Sequence, residues 1–105
     1  MGDTRMPNSR EAVLLAILIP GEKYGRDIRE EYKRQTKEEL PLGSLYVTLD
    51  RMEDKGFLKS WMGDSASDRG GNRRKYYKIT ASGKNAFEQA RQAALGIFGG
   101  RLSNG

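Results

Sequence analysis

Between Leu42 and Ile79 the apolar residues change their period, and this change constrains the fold more than any other feature of the chain. Leu42, Leu45, Leu49 and Met52 recur at spacings of +3, +4 and +3, the period of one helix face. Gly56 then stands where a helix commonly stops. Phe57 to Met62 and Arg73 to Thr80 follow as two extended runs, with Tyr76, Tyr77 and Ile79 favouring strand. The stretch from Gly63 to Gly71 between them has loop composition. A helix over 43–55 feeding a β-hairpin with a long tip is the unit this pattern predicts.

Upstream, two more helices are expected. Pro7 ends a flexible arm over residues 1–7, and Asn8 stands three residues before Glu11, the signature of a capped helix start. The run Ala12 to Leu18 is apolar on nearly every side, so this helix is buried on more than one face. In so small a domain, a partner subunit is expected to cover the second face, through Leu14 and Leu18. Pro20-Gly21 ends this helix, and Tyr24, Ile28 and Tyr32 mark the stripe of the next, over 24–36. The pairs Arg26/Glu30 and Glu30/Arg34 can support its solvent face. After the hairpin, Thr80 caps a fourth helix from about Ala81 to Phe98, and Gly99-Gly100 leads into a loose tail over 99–105.

Several function classes are excluded by what the chain lacks. At 105 residues it has room for one domain. Without histidine or cysteine it can form no disulfide, no zinc finger and no histidine-based acid–base centre. The neighbouring acids Glu30/Glu31 and Glu38/Glu39 diverge by about 100° on a helix instead of converging on one target. No phosphate-loop glycine pattern occurs. An enzyme is therefore not expected, and no cofactor is. The apolar run from Ala12 to Ile19 is far shorter than the roughly 20 residues a membrane span needs and has no basic leader, so a soluble, cytoplasmic protein is expected.

Charge supplies the positive indication. The net charge of +5 is unevenly placed: residues 1–50 hold eight Lys/Arg against nine Asp/Glu, residues 51–105 eleven against five. Arg69, Arg73, Arg74, Lys75 and Lys78 follow one another with no acid between Asp68 and Glu88. A basic hairpin directly after a helix suits a phosphate backbone or a minor groove. On the third helix, the side opposite the apolar stripe carries Ser44, Val47, Arg51 and Asp54, with Gly43 and Thr48 at its margins. Small polar residues, a methyl-bearing group for thymine and one forked donor are what a major-groove surface uses. Tyr46 stands about 100° from the stripe, so its ring can enter the core or its hydroxyl meet a phosphate. The order helix, helix, helix, hairpin is that of a winged helix-turn-helix. Phe87, Ala90, Ala94, Ile97 and Phe98 form a narrow, alanine-rich seam on the last helix, fit for close contact with a second copy. The fold expected is thus mainly α with a small β-hairpin: a winged helix-turn-helix over 8–80 and a dimerisation helix over 81–98.

The segment Pro41-Leu42-Gly43-Ser44-Leu45-Tyr46-Val47-Thr48-Leu49-Asp50-Arg51-Met52-Glu53-Asp54-Lys55-Gly56-Phe57-Leu58 closely resembles the recognition-helix region of PadR-like transcriptional regulators. Arg73 to Thr80 followed by Gly83 is similar to that family's wing strand and entry into the last helix, and Tyr24 to Ile28 to the start of its second helix. The resemblance covers roughly residues 8–90 and belongs to the short branch with one C-terminal helix. It implies a nucleoid-associated homodimeric repressor on double-stranded DNA with a pseudo-palindromic operator. DNA contacts are then expected from Ser44, Tyr46, Val47, Thr48 and Arg51 in the helix and from Arg73, Arg74 and Lys75 in the wing, and the charge and spacing read above add Gly43 and Arg69. Some short members of the family bind a flat aromatic effector between the subunits, and the resemblance extends that expectation to this chain. Phe87 and Phe98 are the aromatic residues that would line such a site, although core packing is the use their spacing favours. The competing expectation is a winged-helix module for protein–protein assembly with weak, sequence-blind DNA binding.

Overall fold

A computed structural model of the protein describes the backbone of residues 6–63 and 74–104, with side chains up to residue 96. Helix α1 (Ser9–Leu18) begins as its cap residues require: the Asn8 side chain accepts from the Glu11 backbone N–H at 2.8 Å, and Glu11 Oε1 accepts from the Asn8 N–H at 3.0 Å. Glu11 does more than cap. It is 1% exposed, and Lys55 Nζ reaches both its oxygens, at 3.0 and 2.9 Å. The start of the first helix is thereby fastened to the end of the third.

Leu14, Leu15, Ile17 and Leu18 are buried in the core. Leu14 and Leu18 are 0% exposed within the single chain, so they have no surface left to offer a partner subunit. The expectation that they form a dimer contact is corrected by the packing. Helices α2 (Gly25–Thr36) and α4 (Ala81–Asn104) and strand β3 (Lys75–Ile79) all pack on α1, so its second apolar face is covered by its own chain.

Helix α2 ends at Lys37, which takes the left-handed conformation with φ of 66° in place of a glycine. A short connection through buried Leu40 leads to α3 (Leu42–Asp54), whose Leu45, Leu49 and Met52 are fully buried, as their spacing predicts. Gly56, at φ of 86°, ends the turn after α3, a backbone conformation that a side chain rarely tolerates. Strand β2 (Leu58–Met62) then pairs antiparallel with β3, Trp61 standing opposite Tyr76 and Ser60 opposite Tyr77.

The expected hairpin has a third strand that periodicity did not announce. Lys23–Tyr24 forms β1, pairing antiparallel with β3 in the register Lys23 with Tyr77 and Tyr24 with Tyr76, so the sheet order is β1-β3-β2. Two residues carry no period of their own. The strand exists because β3 offers a free edge beside the entry to α2.

Thr80 caps α4 as expected, its hydroxyl oxygen accepting from the Gly83 N–H at 3.0 Å while donating to Gly56 O at 2.6 Å. Gly83 is buried, and a Cβ there would meet the backbone carbonyl of Phe57. The helix continues to Asn104, past Phe98, where the glycine pair was expected to stop it. A helical glycine costs about 1 kcal/mol relative to alanine, which weakens a helix without ending it. Residues 81–90 lie along the body of the domain; from Arg91 to Gly96 every residue is exposed. The projecting helix explains an extent of 60 Å in one direction against 31 and 22 Å in the others.

Candidate nucleic-acid interface

Burying Leu45, Leu49 and Met52 turns the opposite side of α3 outward. Ser44, Val47 and Arg51 are exposed, and Val47 is 56% exposed, a high value for a valine. Gly43 is exposed beside them, with open space around the position a Cβ would take. Thr48 is half-buried, and its hydroxyl donates to Ser44 O at 3.0 Å, leaving its methyl as the group free of a polar tie.

Tyr46 has a packing role. Its ring lies over Gly25, where any Cβ would run into it, and its centroid is 6.4 Å from that of Tyr77. The residue joins the first turn of α2 to α3 and to the sheet, and it is half-buried as a result.

The sheet presents its two faces very differently. Tyr77 and Ile79 point inward and are buried. Lys75 shares this inward side and reaches α3, its Nζ 3.3 Å from Asp50 Oδ1 and 5.5 Å from the centre of the Tyr77 ring. Tyr77 donates its hydroxyl to the same Asp50 oxygen at 3.0 Å. Burial first, and then the Asp50 carboxylate, hold the Tyr77 proton well above the usual phenol range, so this hydroxyl acts as a donor. Ser60 on β2 adds a bond to Glu53 Oε1 at 2.7 Å. Together these contacts set α3 and the wing strands side by side on one surface.

On the outward face, Trp61, Tyr76 and Tyr24 form a row across all three strands. Trp61 stacks on Tyr76 at 6.0 Å with planes 12° apart, and Tyr24 meets Tyr76 at 5.9 Å, tilted by 53°. Arg74 lies over the far end of this row, its guanidinium carbon 4.7 Å from the Tyr24 ring centre. Arg74 and Lys75, adjacent in sequence and expected to act alike, therefore leave opposite faces of the sheet. Arg69 and Arg73 lie outside the described residues.

Sequence reasoning missed Asp50, Tyr77 and Tyr24 as organisers of this surface. The alternation of β3 shows that either Tyr76 or Tyr77 turns inward. Its partner on α3 is 27 residues away and leaves no local signal.

On the seam expected of α4, Phe87 is half-buried against the core, Ala90 is half-buried and Ala94 is exposed. Leu95 is 53% exposed and extends the apolar strip, though the seam read from spacing omitted it. On α1, Ile19 is exposed, and Val13 and Ala16 are half-buried. The side chains of Ile97 and Phe98 lie outside the described residues. Among the described residues, no group of acids could hold a metal ion, and no helix is long and apolar enough to cross a membrane.

Comparison with known proteins places this architecture. The sequence pattern of the transcriptional regulator PadR-like family matches residues 14–89. An uncharacterized protein of Lysinibacillus sphaericus is 32% identical over 76 residues, spanning 70% of this chain and 67% of that protein. The crystal structure of a PadR family transcription regulator from Clostridium difficile superposes with a TM-score of 0.71 at 33% identity, covering 92% of this chain and 96% of that one. Bacillus subtilis PadR, solved in complex with operator DNA, shares the fold at a TM-score of 0.64 and 24% identity, over 76% of this chain and 44% of its own.

Proposed function

The chain belongs to the PadR-like family of transcriptional regulators, and from that premise we propose that it is a sequence-specific repressor that grips a pseudo-palindromic operator in double-stranded DNA as a homodimer. The observation that carries this reading is the juxtaposition of α3 and β3: an exposed helix face bearing Ser44, Val47 and Arg51 stands beside a strand that carries Lys75 and is entered through Arg74. An α-helix fits the major groove, and a flanking basic strand follows the adjacent phosphates. Gly43 and Ser44 open the helix, where backbone N–H groups favour a phosphate. The operator complex of the Bacillus subtilis relative lends the same reading support through its fold.

The dimer is assigned to the outer part of α4, where Ala94 and Leu95 are exposed, and the sequence spacing adds Ile97 and Phe98 to it. Ile19 at the end of α1 replaces Leu14 and Leu18 as the contribution of the first helix. Two-fold symmetry then brings two copies of α3 to half-sites about one DNA turn apart. Work on the nucleoid, in the cytoplasm, follows from this role. A flat aromatic effector is assigned to the same junction, beside Phe87.

Selection from random duplex DNA on the purified protein tests the proposal. A recurring inverted repeat is the expected result; recovery of unrelated sequences overturns it and favours the second reading, an assembly module, which the exposed apolar strip of α4 would equally serve. Affinity for the selected duplex should fall with salt, with a log–log slope of about 0.9 per phosphate neutralised. Arg74→Ala should lower that slope while weakening all duplexes to a similar degree.

A further inference from the structure

Asp50 is an acid on the helix face assigned to DNA, where a carboxylate repels phosphate. Its side chain is about half exposed, at 52%. Around the helix it stands about 60° from Val47, on the side toward the wing. Its Oδ1 is occupied twice, by the hydroxyl of fully buried Tyr77 at 3.0 Å and by Lys75 at 3.3 Å. Nothing donates to Oδ2 among the described residues. The core thus holds one oxygen from beneath and leaves the other as a fixed acceptor.

In the major groove, the bases offer a hydrogen-bond donor only at cytosine N4 and adenine N6. Adenine sets its N7 acceptor beside the amino group, and a carboxylate is repelled by it; cytosine has no acceptor there. Resting on the regulator function proposed above, we infer that Asp50 reads a cytosine, through Oδ2 and the base's amino group, at one position of each half-site. Lys75 offsets the carboxylate charge, and Tyr77 acts as a positioning residue that fixes its rotamer.

The test is a set of duplexes in which every base pair of the selected operator is varied, measured against the parent, Asp50→Ala and Asp50→Asn. The parent should prefer cytosine at one wing-side position by about tenfold. Asp50→Ala should lose that preference while keeping the order of preference at every other position, whatever the loss of the Tyr77 and Lys75 ties does to overall affinity. In Asp50→Asn, the Tyr77 hydroxyl continues to hold Oδ1, so the outward atom becomes an N–H donor. The preference for cytosine should then give way to bases that accept in the major groove, guanine with O6 and N7 foremost and adenine N7 and thymine O4 beside it. A uniform loss of affinity in both variants, with every base preference retained, overturns the inference and makes Asp50 a structural tie. A parent without any preferred sequence overturns the regulator function itself, and this assignment with it.

Discussion

The junction of α3 with the sheet and the outer part of α4 are opposite solutions to the use of surface. At the junction, side chains with functional potential are already engaged: Asp50 by Tyr77 and Lys75, Glu53 by Ser60, and Tyr46 by the Tyr77 ring. From Arg91 to Gly96 the fourth helix is exposed throughout and leaves Leu95 uncovered. The lesson is that this chain engages the side chains between α3 and the sheet in intramolecular contacts and leaves apolar surface uncovered on the projecting helix. If the proposed function holds, contacts already made within the chain limit what DNA binding must order, since side-chain ordering at an interface costs about 0.5–1.5 kcal/mol per residue.

Substitutions can break this contrast from either side. The largest effect should come from the free region. Placing acids at Ala94 and Leu95 (Ala94→Asp with Leu95→Asp) should convert a dimer to a monomer in sedimentation equilibrium and lower operator affinity by about 100-fold or more, because the second half-site no longer binds in an intramolecular step. The helical circular dichroism of the domain should persist; a dimer that survives refutes the α4 assignment.

Next in size is the tie between α1 and α3. Lys55→Met leaves the Glu11 carboxylate buried without its cation and should cost about 2–3 kcal/mol in urea unfolding, slightly below a fully buried pair because Lys55 is partly exposed. A smaller loss, about 1–2 kcal/mol, is expected for Tyr77→Phe, which removes one hydrogen bond to a charged acceptor and keeps the ring. An unchanged midpoint in that variant means that the hydroxyl does not hold α3.

The smallest effect lies again on α4. Glu88 accepts from Arg91 and Gln92, and these hydrogen bonds, the Arg91 one first, lower its pKa from 4.5 to about 2. Because the folded value lies below the unfolded one, the contribution is complete above about pH 4.5 and is lost as pH falls toward 2. Glu88→Gln should flatten the acid side of the stability curve measured between these values. The group is solvent-exposed, so the change is a modest one visible only in direct comparison with the parent.

Much of this was legible because it is local. The Asn8–Glu11 cap, the Leu45–Leu49–Met52 stripe, the stop at Gly56 and the Thr80 cap each depend on residues within about one helical turn or a few turns of each other. What escaped was decided by neighbours distant in sequence. Strand β1 is too short to show a period. Leu14 and Leu18 belong to a helix apolar on nearly all sides, and such a pattern announces burial without saying which chain provides the cover. The glycines at 99 and 100 weaken a helix, and their spacing alone does not say whether it ends.

Taken by itself, the amino-acid order determined the succession of the four helices and the two hairpin strands, the side of α3 that enters the core and the location of the positive charge, since each follows from periodicity or composition over short distances. Only the tertiary structure decided that Arg74 lies over Tyr24 while Lys75 turns to Asp50, that Tyr46 serves packing, and that α1 is enclosed by its own chain. The physical reason is the same in each case: a side chain's partner is set by the register of β3 against β1 and β2 and by how α3 and α4 pack on the core, and register is a property of the assembled fold.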